Sequence, residues 1–213
     1  MKEIGCKFAR TVHISLFFWA IEALLPCKII KIWPRPVKFS LRLFKPDRLL
    51  GPISGAHFNP LVTLMDWLRG ALGARDAAAY IAAQLAGAIA GVMLANLMFD
   101  LAPIAFSEKP RASPGLWLSE IVATAGLVLT ILLGLRHRAA AVPALVASYI
   151  TAAYWFTAST SFANPSVTLA RTLTPTFAGI APADAPAFVL AQCLGAVAGL
   201  LCARLLLGSL RPA

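Results

Sequence analysis

Beyond Gly51 the chain alternates long apolar runs with short polar breaks. Four of the runs, at about 77–99, 116–135, 141–158 and 185–207, approach or exceed the roughly twenty apolar residues that a bilayer-crossing helix needs. Two more runs are only half as long. They cover 60–68 and 165–173, and each starts on an Asn-Pro pair, Asn59-Pro60 and Asn164-Pro165. Asparagine caps a helix N-terminus, and proline suits the first helical position, where no N–H is needed. Nine residues at 1.5 Å each reach roughly 13 Å, about half of a bilayer. The pattern predicts four spanning helices and two re-entrant half-helices.

The first fifty residues behave differently. Residues 12–27 are apolar apart from His13, Ser15 and Glu22, a marginal span closed by Pro26. Residues 28–50 carry seven Lys or Arg, three prolines and Asp47. Each such charge at a membrane centre costs ~2.5 kcal/mol or more, so this stretch is expected to lie along the membrane surface. The chain thus divides into an aberrant basic segment, 1–50, and a membrane domain, 51–213. The abrupt change at Gly51 suggests that residues 1–50 are translated from a shifted frame or a wrong start. Other frames upstream should then encode two apolar spans with a glutamate.

The half-helices open an internal repeat. Residues 54–64 align with 159–169 at an offset of 105, with six of eleven positions identical, and 75–91 align with 183–199 at an offset of 108, with nine of seventeen identical. The second pair includes Gly87-x-x-x-Gly91 and Gly195-x-x-x-Gly199, small residues that allow helices to approach closely in lipid.

Composition supports an integral membrane protein: 59% of residues are hydrophobic, only 13% are charged, and the mean hydropathy is +0.77. The net charge of +10 raises nucleic acid as a partner. Its distribution argues against that, because residues 1–50 hold ten basic and three acidic residues, which leaves +3 for the remainder. The basic segment reads as a cytoplasmic membrane flank, with no nucleic-acid partner. Cys6, Cys27, Cys193 and Cys202 show no metal or redox spacing, and Cys193, opposite Leu85 in the repeat, reads as a small apolar packer. No cofactor or metal is expected. No nucleophile, carboxylate pair or metal cluster suggests an enzyme, and no clean signal peptide is visible.

Loop charge sets the orientation. Arg136, Arg138 and Arg211 lack nearby acids and belong inside, whereas the 100–115 loop balances two acids with two bases and belongs outside. The half-helices then enter from opposite faces, an inverted repeat with a shared site near the bilayer midplane. Two helix N-termini aimed at one point, with the amides of Asn59 and Asn164, offer donors to neutral dipolar solutes and repel cations.

These motifs resemble the aquaporin and glycerol-facilitator family of major intrinsic proteins. The resemblance covers about 51–207 and rests on Ser-Gly-Ala-His-Phe-Asn-Pro at 54–60, the second Asn-Pro, Gln84, Gln192 and Glu120. It implies an all-α, inverted-repeat bundle of spanning helices and two half-helices, incomplete in its first repeat. It also implies a homotetramer in the inner membrane, with a pore in each subunit formed at the midplane by Asn59, Pro60, Leu61, Asn164, Pro165 and Ser166.

Several positions depart from the family. Leu61 and Ser166 stand where alanine is usual, so Leu61 would spread or narrow the midplane. Val167 occupies the position of the arginine of water-selective members, Arg171 lies a turn too late to replace it, and Ala152 stands where histidine is common. A filter of Val167, Ala152, Ser161 and nearby carbonyls would be wide and weakly polar, suited to glycerol-like polyols or neutral metalloid hydroxides such as arsenous acid. It is similar to that of arsenic-associated bacterial members. The helix expected before Gly51 is replaced by residues 28–50, and Glu3 lies near the place of the family's first-helix glutamate.

Other residues keep two readings. His57 either faces the lumen as a polar contact or pH-sensitive gate, or packs as a hydrogen-bonded loop histidine. His13 and His137 read as interfacial, and Tyr154-Trp155-Phe156 reads as an interfacial anchor. Glu120 is expected to bind the free amides of a re-entrant loop. The function expected is a passive channel for small uncharged solutes, possible water passage included. The alternative is a non-conducting paralogue that acts at most as a structural membrane subunit.

Overall fold

A computed structural model describes residues 55–208. The marginal span at 12–27, the basic stretch at 28–50 and Glu3 lie outside the described residues. Within them the chain forms α1 (Pro60–Leu68), α2 (Ala74–Met98), α3 (Pro114–His137), α4 (Val142–Phe156), α5 (Pro165–Arg171) and α6 (Ala185–Leu207), with a 3₁₀ turn at Ala139–Ala141 leading into α4. Among the described residues, four segments have the length and apolarity to cross a membrane: α2, α3, the turn with α4, and α6. The described residues are helix and loop throughout.

Local chemistry sets the helix ends. Asn59 and Asn164 cap α1 and α5, and in each helix the following proline takes the first position. Ser113 caps α3 ahead of Pro114 in the same way. Helix α5 stops at Arg171 although the apolar pattern runs on to Leu173. Thr172 and Leu173 turn tightly, donating to the carbonyls of Leu169 and Ala170, and their own carbonyls accept from Ser107 and Ala105 of the loop before α3.

That docking orients the bundle. The loop after α2 lies against the outer end of α5, whereas α2 begins beside the outer end of α1. The 25 residues of α2 span roughly 37 Å, so α1 and α5 enter from opposite faces of the molecule.

Among the described helices, α3 and α6 share the most extensive contact. A Cβ on Gly195 would stand 2.5 Å from the Ile121 carbonyl oxygen, and one on Gly199 would stand 2.6 Å from that of Ala125. Both distances are shorter than real Cβ atoms tolerate, so the helices meet through bare backbone. Gly87 and Gly91 are buried on α2. The opposite side of α6 exposes Leu190, Leu194, Val197, Leu201 and Leu205 at helical spacing, a face suited to lipid. Trp155 and Phe156 are exposed at the end of α4.

Candidate functional site: the meeting point of the two half-helices

The two Asn-Pro corners touch. The Asn59 side chain donates from Nδ2 to the Ala163 carbonyl at 2.7 Å, and Asn164 donates from Nδ2 to the Phe58 carbonyl at 2.9 Å. Each asparagine also caps its own helix: Oδ1 accepts from Leu61 N and from Ser166 N, both at 3.0 Å. One side chain thus fastens its own helix and the opposite loop, leaving one N–H of each amide for another acceptor.

The repeat extends into the second layer of bonds. Thr63 and Thr168 donate to the carbonyls of Asn59 and Asn164, at 3.3 and 3.1 Å. Gln84 donates to the Thr63 hydroxyl at 2.9 Å and Gln192 donates to that of Thr168 at 2.8 Å. From there the halves diverge. Gln84 also donates to the His57 carbonyl, while Gln192 donates to Glu120 at 2.7 Å.

Glu120 is fully buried, and its two oxygens accept from Phe162 N at 2.9 Å and Ala163 N at 2.8 Å. The need for these bonds is visible in the backbone. Thr160, Ser161 and Ala163 have φ of 64°, 48° and 48°, left-handed values that break any local ladder. In the first loop Gly55 and Ala56, at the matching positions, have φ of 80° and 53°. Amides freed in this way must find other partners inside a membrane protein.

The remaining sequence-derived positions are spread around this centre. Pro60 and Leu61 are buried, and Leu61 turns into an apolar cluster with Met65, Leu127 and Ala163 rather than separating the helix tips. Ser166 is fully buried, and among the described residues its hydroxyl makes no hydrogen bond. Pro165 is half-buried. Val167, 7% exposed, packs in a second cluster with Phe162, Ile180 and Phe188. Ser161 is buried and Ala152 is exposed. His57 sits near the outer end of α1, with Nε2 3.2 Å from Asp66 Oδ2, and Asp66 in turn pairs with Arg69 at 2.9 Å. Burial alone would raise the Asp66 carboxyl's pKa, but hydrogen bonding and charge from His57 and Arg69 outweigh it and hold the group below the usual carboxylate range.

Two arginines were not legible as part of the site. Arg171 is buried, with its guanidinium 4.2 Å from the Phe162 ring centroid. Arg111, from the loop between α2 and α3, is also buried and stands 4.8 Å from the same centroid. Its side chain donates to the carbonyls of Gly179, Ser159 and Phe177 at 2.8, 3.0 and 3.4 Å. Burial lowers the pKa of this guanidinium, against the opposing pull of Glu120 and Tyr154. In the sequence Arg111 is one loop charge among four, and only the partners reveal its place.

An inverted repeat of membrane helices whose two half-length members meet cap to cap defines a class of re-entrant, multi-pass membrane proteins. The chain belongs to the major intrinsic protein family, which matches residues 30–150. It is 62% identical to the aquaglyceroporin AqpS of Rhizobium meliloti over 164 residues, 77% of this chain and 70% of the relative. It is 36% identical to rat (Rattus norvegicus) aquaporin-5 over 104 residues, 48% of this chain and 38% of that protein. It is 29% identical to the propanediol uptake facilitator PduF of Citrobacter freundii over 154 residues, 62% of this chain and 51% of that protein. Family and helices together make it a multi-pass protein of the inner membrane.

Proposed function

We propose that the chain is a passive channel for small uncharged solutes, with a preference for polyols and neutral metalloid hydroxides such as arsenous acid over water. The observation that carries this reading is the reciprocal pair of asparagine bonds, Asn59 to Ala163 and Asn164 to Phe58. They hold two capped N-termini at one point, where each amide keeps an N–H for a passing oxygen. Among the described residues, no backbone N–H donates to the carbonyls of Thr160 and Ser161. A solute hydroxyl can donate there, and an ion finds no counter-charge to replace its hydration.

The preference for solutes larger than water rests on Val167. Its side chain packs among Phe162, Ile180 and Phe188 and carries no donor, and Ala152 brings none either. The aquaglyceroporin and propanediol-facilitator relatives support the same direction. A homotetramer fits the exposed apolar face of α6 and is tested by native mass spectrometry of the protein in detergent.

Swelling of vesicles that contain the full chain tests the function. Influx of glycerol and arsenous acid should exceed that of empty vesicles. Equal rates would leave the chain as a structural membrane subunit. Val167→Arg should move permeability toward water and reduce glycerol flux by about tenfold or more, because an added guanidinium narrows the constriction and favours the smaller dipole. Unchanged glycerol flux would remove Val167 from the filter.

A further inference from the structure

We propose that Arg111 is the positioning residue of the outer filter: by holding the Ser159 carbonyl it fixes the loop 159–163 and thereby sets the size of solute admitted. The inference rests on the channel reading above and assigns its specificity to a residue outside the repeat motif.

The loop is fastened at both ends and open between them. At its inner end the Ala163 carbonyl accepts from Asn59 at 2.7 Å, and at its outer end the Ser159 carbonyl accepts from Arg111 at 3.0 Å. Four of its five amides are engaged: Thr160 N donates to Thr157 O, Ser161 N donates to Ser159 Oγ, and Phe162 N and Ala163 N donate to Glu120. The peptide group joining Ser159 to Thr160 is therefore held on both edges, by Arg111 at the oxygen and Thr157 at the nitrogen. Immediately after it come the left-handed Thr160 and Ser161, whose carbonyls accept from no backbone N–H. A tilt of that peptide plane would turn both.

Arg111 is itself immobilised. Its side chain also bonds Gly179 and Phe177 beyond α5, and its backbone N–H donates to Asp184 Oδ2 at 2.7 Å, at the start of α6. The planar guanidinium fork engages three carbonyls on two segments, Ser159 on one and Phe177 and Gly179 on the other; a lysine keeps the charge but acts as a single compact donor group. At 4% exposure Arg111 does not touch the solute and acts through the loop.

The test compares wild-type chain with Arg111→Lys in vesicles, using swelling in glycerol and in erythritol, and follows amide hydrogen exchange across 159–163. With the lysine variant the glycerol-to-erythritol ratio should fall at least about threefold. Exchange at Thr160 and Ser161 should quicken at least about tenfold while α6 stays protected. Arg111→Gln serves if the lysine variant does not insert. A ratio changed by less than threefold, or a uniform loss of flux for both solutes, overturns the inference. Absence of flux in wild type would sink the channel reading alone, since the exchange measurement still reports whether Arg111 holds the loop.

Discussion

Thr160 concentrates the cost of the outer loop in one residue. It is β-branched, stands where the first loop has Gly55, and adopts φ of 64°. A left-handed conformation costs a non-glycine residue about 1–2 kcal/mol. Thr160→Gly should therefore raise stability by about 1 kcal/mol, read as a higher melting midpoint in detergent. Glu120 is the opposite case. Glu120→Gln keeps the volume but turns an amide toward the donors of Phe162, Ala163 and Gln192, and should cost about 3 kcal/mol of stability in the same assay. The sequence already marked Glu120 as the acceptor for a re-entrant loop. It could not mark Arg111, because a loop arginine in water and one buried among carbonyls have the same local neighbours.

Among the elements, α3 and α6 work as one unit. Their glycine contact brings Glu120 and Gln192 to within 2.7 Å of each other, so the spacing of two helices sets the support of the filter loop. Gly195→Val would drive a side chain into Ile121 and Thr124 and should destabilise the protein by about 2–3 kcal/mol, with flux falling in step; a melting series against Gly115→Val, where the site is open, checks it. The Gly-x-x-x-Gly spacing made this contact foreseeable on α6. Where α5 stops was not foreseeable, since its last turn is decided by Ser107 and Ala105 from a loop more than sixty residues earlier. Helix α1 is fastened differently, by the Asp66 pairs to His57 and Arg69. The Asp66 pKa is lowered in the folded state, so its contribution to stability is present above the ordinary carboxylate range and is lost as pH falls through the lowered value. Asp66→Asn should abolish that acid-side slope in the melting midpoint, while the wild type retains it.

At the scale of the molecule the repeat told most of the architecture. Offsets of 105 and 108 paired the two Asn-Pro corners, Thr63 with Thr168, and Gln84 with Gln192, and the structure adds the matching Gln-to-Thr hydrogen bonds. What the repeat could not tell is which partners are unequal: Glu120 and Arg111 serve the outer loop, while Gln84 turns to the His57 carbonyl. The crossed asparagines also set an order of events in biogenesis. The Phe58 oxygen emerges from the ribosome 106 residues before the Asn164 that satisfies it, and Asn59 emerges 104 residues before Ala163. During that interval the first half is a nascent hairpin with its tip unsealed, and only the arrival of its twin closes the seam. Translation arrested between α3 and α5 should leave an intermediate that proteases recognise and the finished chain escapes.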